Sequence, residues 1–372
     1  MTAFNSDVYI ERRAKAGELV KQRGLGGLVI GTGAEFAYLT GSWASSHERL
    51  TALVIAPDAA AVIAPVTDIQ SLGLEDASDV NVVGWRDGDN PYKLAAERLS
   101  QGTVGLGSSL TADHVFALQA LLPETELAAD AVADLFMVKD AEEVAQLSAA
   151  GEAIDRVHER AAELLKPGRT EREIAEELHA MILQEHERVE FVIVGSGPNG
   201  SNPHHDFSAR VLQEGDPVVV DLGGALPSGY QSDCTRTHVV GDPARAPQDF
   251  LDAYAVLERA FQAACDAARP GITAGELDAA ARDVITEAGY GEYFTHRLGH
   301  GIGLSGHEQP FIIAGSDVVL REGMAFSIEP GIYKPGEWGM RIEDIVRMTA
   351  DGIEPLNRTR RDLGHDLGHD NA

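Results

Sequence analysis

The chain reads as a two-domain α+β protein, and three observations carry that reading. Its 372 residues suffice for two domains with substantial cores. Strand-like runs alternate with short helical segments through residues 1–135, the mark of a compact α/β domain. Beyond them, two pairs of helices each precede a β-rich segment. Hydrophobic content of 44% and charged content of 24% are ordinary for a globular chain. The net charge of −29 argues against nucleic acid and anionic membranes as partners. Cys234 and Cys265 are the only cysteines, which excludes a disulfide framework and a Cys-x-x-Cys metal site. The charged start MTAFNSDVYIERRAKAGE does not suit a signal peptide, and no apolar run reaches the roughly 18 residues of a membrane span. A cytoplasmic protein is expected.

In order, Asp7 to about Gln22 is amphipathic and is followed by Gly24 as a C-terminal cap. Strands are expected at Leu28–Ile30, Leu50–Ile55, Ala60–Val66, Val80–Trp85 and Thr103–Gly107. Helical segments fall near Asp68–Leu74, Pro91–Ser100 and Thr111–Leu122. This domain holds no dense cluster of His, Asp and Glu, so a structural, gating or oligomeric role is expected of it. A second domain spans 136–360. Asp140 with Glu143 forms a capping-box pattern opening a helix to Leu165, and Thr170 with Glu173 opens the next, to about Glu185. A strand at Val189–Val194 follows, then helices at Pro247–Ala268 and Thr273–Gly289, the latter opened by Thr273 and Glu276. The repeated helix-pair-then-β order suggests an internal duplication. Residues 361–372, with His365 and His369, are expected to form a mobile tail rather than a metal site.

The chemistry centres on Val218–Thr237, VVVDLGGALPSGYQSDCTRT. Three valines favour a buried strand, Leu226-Pro227-Ser228-Gly229 supplies a turn, and a second extended run follows, so a β-hairpin is expected. Asp221 lies on one arm and Asp233 on the other. Two like charges about 4 Å apart repel by roughly 4 kcal/mol at an effective dielectric near 20. Such a pair must share a proton, pair with a base, or hold a cation.

Other segments bear on that choice. Gly195-x-Gly197-x-x-Gly200 formally matches a dinucleotide fingerprint, but Pro198, Asn202 and Pro203 interrupt the helix that a pyrophosphate would need. Those glycines are read as shaping a loop that delivers His204 and His205. His296, His300 and His307 form the densest histidine cluster, interleaved with glycines that permit close backbone approach. Met324–Tyr333 reads as an apolar strand ending in a carboxylate, Glu329, and a turn, and another apolar strand over Gly339–Val346 carries Arg341 and Glu343. Extended geometry puts Arg341 and Glu343 on one face, where a buried Arg–Glu pair is an equal reading. Together Asp221, Asp233, His300, Glu329 and Glu343 make an oxygen-rich set suited to two divalent ions such as Mn²⁺, Co²⁺ or Zn²⁺, whose charge balances four carboxylates.

The ordered pattern DLGG…SDCTRT…GHGIG…SIEPGIY…RIEDI resembles the pita-bread metallopeptidases (M24-type), in particular their proline-specific branch of Xaa-Pro dipeptidases (prolidases) and aminopeptidases P. The resemblance covers nearly the whole chain, including a creatinase-like N-terminal domain over 1–135. It implies that Asp221 chelates one metal, Asp233 and Glu343 bridge, and His300 and Glu329 complete the other position, with Mn²⁺ the metal. It also implies a homodimer and hydrolysis of the bond before proline by a metal-bridging hydroxide, with Glu329 as general base. His204 and His307 would handle the carbonyl oxygen, while His296, Arg341 and Tyr230 would contact a small proline-containing peptide. Cys234 is assigned to packing.

Rival readings are distinguishable. Creatinase uses no metal and lacks this ligand set. Methionine aminopeptidase shares the ligands without the N-terminal domain or the histidine arrangement. A binding protein on the same fold predicts lost ligands, and none is lost here; a lyase on this scaffold would be exposed by a substrate screen. Between dipeptidase and aminopeptidase P, the chain length favours the dipeptidase.

Overall fold

A computed structural model describes residues 4–75 and 77–363. His365 and His369 of the expected tail therefore lie outside the described residues. The chain divides into two compact units, Met1–Phe136 and Met137–Ala372.

The first unit is built on one mixed sheet. Its elements run α1 (Ser6–Gln22), β1 (Gly27–Gly31), α2 (Ala34–Thr40), β2 (Ala52–Ala56), β3 (Ala59–Pro65), β4 (Val80–Trp85), α3 (Pro91–Ala96), β5 (Val104–Leu106), α4 (Ala112–Gln119), β6 (Thr125–Leu127) and α5 (Ala128–Met137). The strand order is β4-β3-β2-β1-β5-β6. β1 is buried along its whole length, which explains why Gly27–Gly31 reads as a continuous apolar run rather than an alternation. Val29, Val54, Ile63, Trp85 and Leu106 share one core cluster. The helix expected near Asp68–Leu74 shrinks to a 3₁₀ turn, Ile69–Leu72. α2, β6 and α5 were not anticipated; the seven residues of α2 are too few to show a helical period.

The second unit is the larger α+β body. α6 (Ala141–Leu164) and α7 (Glu171–Glu185) both begin with the expected capping boxes, Asp140 with Glu143 and Thr170 with Glu173. They cover a three-stranded antiparallel sheet of β7 (Arg188–Ser196), β8 (Pro217–Ala225) and β9 (Gln231–Val239). Ile154, Val157, Leu178, Ile182, Val218, Val220, Leu222 and Cys234 form the shared core. α8 (Gln248–Ala267) and α9 (Ala274–Glu287) are the second helix pair. They are followed by β10 (Gly299–Gly301), β11 (Glu308–Ile312), β12 (Ala325–Ile328), β13 (Gly331–Lys334), β14 (Trp338–Arg341), β15 (Asp344–Met348) and β16 (Ile353–Pro355). The five-stranded sheet has the order β11-β10-β12-β15-β16, and β13 pairs with β14 in a separate hairpin.

The apolar strand expected from Met324 ends at its carboxylate, Glu329, where β12 stops and β13 begins after Pro330, which has no N–H to continue a ladder. The other expected strand is broken in two. Gly339–Val346 divides at Ile342-Glu343, between β14 and β15. Ile328 pairs with Asp344 and Gly331 with Arg341, so the two breaks lie opposite each other. Glu329 and Glu343 thus occupy facing corners where the chain passes from the five-stranded sheet to the hairpin.

Candidate active site

The β8–β9 hairpin sets the first two acids. Asp221 is in register with Thr235 and Asp233 with Gly223. Opposed residues of an antiparallel pair share a face, and so do residues two apart, so Asp221, Asp233 and Thr235 project together. An isolated bridge between Thr235 and Glu343 brings the corner of the other sheet against this hairpin. The Thr235 hydroxyl donates to Glu343 Oε2 at 2.7 Å.

His300 arrives on β10, and its flanking glycines show why that strand needs them. A Cβ on Gly299 would stand 1.9 Å from Ser327 O, and one on Gly301 2.2 Å from Gln309 O. Only glycine lets β10 press between β11 and β12 closely enough to place the imidazole. His300 Nδ1 lies 3.1 Å from Gly301 O and must donate there, which leaves Nε2 facing Glu329 Oε1 at 3.2 Å and Asp233 Oδ2 at 3.7 Å. The His307 ring stands edge-on to His300, 4.0 Å between centroids.

All five expected ligands converge. One donor atom each from Asp221, Asp233 and Glu343 lies within 4.8 Å of the others; so do those of His300, Glu329 and Glu343, and of Asp233, His300 and His307. The three trios overlap through Asp233, His300 and Glu343.

The electrostatics of this arrangement are strained without a cation. Burial, then the charge of Asp221, pushes Asp233 well above the usual carboxylate range. Burial, then Asp233, does the same to Glu343. Asp221 is also raised by burial, against the pull of Arg341. Burial works against charge on Glu329 as well, but the hydrogen bond and charge of His300 take it down to about 2. His300 is the reciprocal case: burial lowers its pKa, and Glu329 and Asp233 more than restore it. Asp221 Oδ1 and Glu343 Oε1 are buried with no hydrogen-bond partner. Orphaned carboxylate oxygens beside an imidazole nitrogen aimed at carboxylates form a donor set that fits divalent cations of borderline hardness.

Arg341 and Tyr230, two of the expected substrate contacts, each have protein partners. Arg341 is buried, and its Nε donates to Thr235 Oγ1 at 2.9 Å, Nη1 to the Tyr333 hydroxyl at 2.7 Å, and Nη2 to Asp221 Oδ2. Its carboxylate partner is Asp221 rather than Glu343, because the chain turns at Ile342 and the two side chains do not share one strand. Tyr230 is fully buried and donates its hydroxyl to Glu143 Oε1 at 3.0 Å, beside the α6 capping box. Cys234 is buried in the β-sheet core, as the packing assignment expects.

His296 belongs to a network the sequence did not announce. Its Nδ1 lies 2.7 Å from Arg297 O and donates to it, so the neutral ring accepts the Tyr333 proton at Nε2, 3.0 Å away. Burial lowers the His296 pKa and pushes Tyr333 up to about 12, which keeps both in those forms. His204 is exposed on the loop after β7, where its backbone N–H donates to Asn202 Oδ1 at 3.1 Å. Beneath that loop sits Glu171, fully buried. It accepts from Ser196, Asn199, His205 and Ser208 at 2.6 to 3.1 Å. The second half of the glycine-rich motif lies within a short 3₁₀ turn, Gly197–Ser201, so the motif opens no α-helix whose N-terminus could meet a pyrophosphate. Thr235, Tyr333 and Glu171 were all missed; the only signal was alternation, Thr235 lying two residues beyond Asp233.

Residues 145–350 match metallopeptidase family M24, and residues 12–135 match the creatinase/prolidase N-terminal domain. The chain belongs to metallopeptidase family M24. Among M24 relatives, it is 49% identical over 367 residues to a probable dipeptidase PepE of Mycobacterium tuberculosis strain H37Rv, covering 97% of each chain. It is 37% identical to an Xaa-Pro dipeptidase of Lactobacillus delbrueckii subsp. lactis, covering 92% of this chain and 96% of that one. The crystal structure of dipeptidase PepE from Mycobacterium ulcerans superposes with a TM-score of 0.93 at 48% identity, over 97% of this chain and 98% of that one. The fold is the pita-bread M24 catalytic domain with a creatinase-type N-terminal domain, and the protein is a metallopeptidase. No described helix is long and apolar enough to cross a membrane.

Proposed function

We propose that this M24 enzyme hydrolyses the peptide bond of Xaa-Pro dipeptides, with two divalent cations held by Asp221, Asp233, His300, Glu329 and Glu343. The observation that carries the reading is the buried convergence of four carboxylates and one imidazole with too few protein partners. Asp221 would hold one cation alone, Asp233 and Glu343 would be shared between the two, and Mn²⁺ would be the metal, with Co²⁺ or Zn²⁺ compatible with the same donors. When bound, such cations polarise a carbonyl and make water nucleophilic near neutral pH.

The side chains supply the rest. Glu329, held ionised, takes a proton from the attacking water and delivers it to the leaving proline nitrogen. His307 has its pKa brought down to about 4 by burial and by the charges of His300 and Arg297, so it is neutral at pH 7. It donates one N–H to the scissile carbonyl oxygen as negative charge develops there, and His204 is assigned the same task. His296 lines the substrate. The bond before proline has no N–H, and nothing in this donor set requires one.

Relatives at 49% and 37% identity carry the names dipeptidase and Xaa-Pro dipeptidase, which favours the dipeptidase over the aminopeptidase. The test is cleavage of Ala-Pro against Ala-Pro-Ala by Mn²⁺-loaded protein. Cleavage of the dipeptide alone is expected, rapid cleavage of the tripeptide makes the enzyme an aminopeptidase, and cleavage of neither defeats the reading. A homodimer accompanies the proposal, and sedimentation equilibrium would test it.

A further inference from the structure

Against the Glu343 corner runs a stretch that the chemistry above does not use, the chain beyond β16. Leu356 N donates to Ile345 O at 2.8 Å, and Ile345 N donates to Oδ1 of buried Asn357 at 2.8 Å. Both backbone polar groups of Ile345, two residues past Glu343, are thus held by 356–357.

Arg236 joins the same two segments. Its buried Nε donates to Arg360 O at 3.0 Å, and Nη1 donates to Thr235 O at 2.9 Å and Glu343 O at 2.7 Å. Nη2 donates to Thr359 O at 2.8 Å and to Asp344 Oδ1 at 2.7 Å. One planar fork therefore ties β9, the Glu343 corner and 359–360 together. Arg361 closes the far side, its Nε donating to Asp344 Oδ2 at 2.9 Å and its Nη2 to the same oxygen. The two oxygens of Asp344 are divided between Arg236 and Arg361. The stretch is anchored in turn to the helices: Thr359 Oγ1 donates to Asp155 Oδ1 of α6 at 2.7 Å, and the Tyr254 hydroxyl of α8 donates to Arg361 O. The Glu343 carboxylate, with Oε1 unpartnered, takes its aim from the backbone held in this way.

We propose that 356–361 braces the metal centre and that Arg361 is a positioning residue, fixing through Asp344 the backbone from which Glu343 reaches the cations. The assignment rests on the reading above that Glu343 is a ligand. A carboxylate shared by two ions must satisfy both at once, so a small shift of its Cα is felt as lost affinity. The Arg361 side chain is 38% exposed while that of Asp344 is 0%, so the brace can be cut from outside without opening the core.

The test measures Mn²⁺ affinity against a chelating dye for wild type and Arg361 variants, each shown by circular dichroism to be folded. Arg361→Ala should bind its weaker ion about ten- to a hundredfold less tightly. Arg361→Lys, which keeps the charge, should recover most of that loss. Arg347→Ala is the control, since Arg347 pairs with Glu354 between β15 and β16 at similar exposure and should leave the affinity as in wild type. Wild-type affinity in Arg361→Ala overturns the brace, and so does equal weakening in Arg347→Ala or a lysine variant as weak as alanine. Should the alanine variant not fold, Arg361→Gln, which keeps the stem, reads the same affinity. If wild type takes up no Mn²⁺, the metal reading fails by itself. Hydrogen exchange of the 342–346 amides in metal-free protein then decides the brace: faster exchange in Arg361→Ala or Arg361→Gln than in wild type upholds it, and equal exchange overturns it.

Discussion

Glu171 and the trio Asp221, Asp233 and Glu343 are carboxylates buried in the same catalytic unit, and they meet the cost of desolvation in opposite ways. Around Glu171 the protein supplies donors from two serines, an asparagine and a histidine, and these outweigh burial to leave its pKa below the ordinary range. Around the trio the protein supplies more negative charge, and two oxygens are left without partners. A satisfied buried acid holds a loop in place; an unsatisfied cluster is completed from outside the chain. The contrast separates structure from chemistry where residue type alone does not.

The largest test of that contrast is Asp233→Ala. Activity should fall at least about a thousandfold, roughly 4 kcal/mol of barrier, and metal content by plasma mass spectrometry should fall with it. Freed of metal, the variant should melt no lower than metal-free wild type, since a buried like charge has been removed. A metal-free variant melting far below wild type would make the trio structural and erase the distinction. Glu171→Ala should behave in reverse. Stranding its donors should cost about 3 kcal/mol in denaturant unfolding while metal stoichiometry stays as in wild type. His238 provides the smallest test and a third solution, neutrality. Burial, aided by the charge of Arg236, takes its pKa from 6.5 to about 4. The unfolded chain therefore binds this proton first, so the stability it confers is full above about pH 6.5 and is lost as pH falls towards 4. The slope reaches about 1.4 kcal/mol per pH unit. His238→Gln should flatten that limb of the pH–stability curve, and an unchanged slope would remove His238 from the comparison.

The acids, the hairpin and the capping boxes were legible in sequence because each rests on local chemistry: valine runs, turn residues, Thr or Asp three positions before Glu. The five converging residues were legible because charges embedded in apolar strands have few innocent explanations. The bond from Arg341 to Asp221 was not legible because it is decided by the corner at Ile342, and corners depend on how two sheets meet. The bond from the Tyr230 hydroxyl to Glu143 was not legible because Glu143 lies 87 residues earlier in the chain. Glu171 was invisible for the same reason: its partners lie 25 to 37 residues away, with no periodic signal to join them.

β9 gives the enzyme an unusual fidelity. Asp233, Thr235 and Thr237 work on one face, meeting the carboxylate cluster, Glu343 and the backbone of Arg341. Cys234 lies in the apolar core of the other face, and Arg236 reaches Asp344. A slip of a single residue would exchange the two sets completely. Mispaired molecules would then have no intermediate grade of activity, because the same step that turns Asp233 into the apolar core turns Cys234 towards the carboxylate cluster in its place. Catalytic competence is therefore a digital readout of strand registration, and metal uptake during refolding would count correctly paired hairpins one by one.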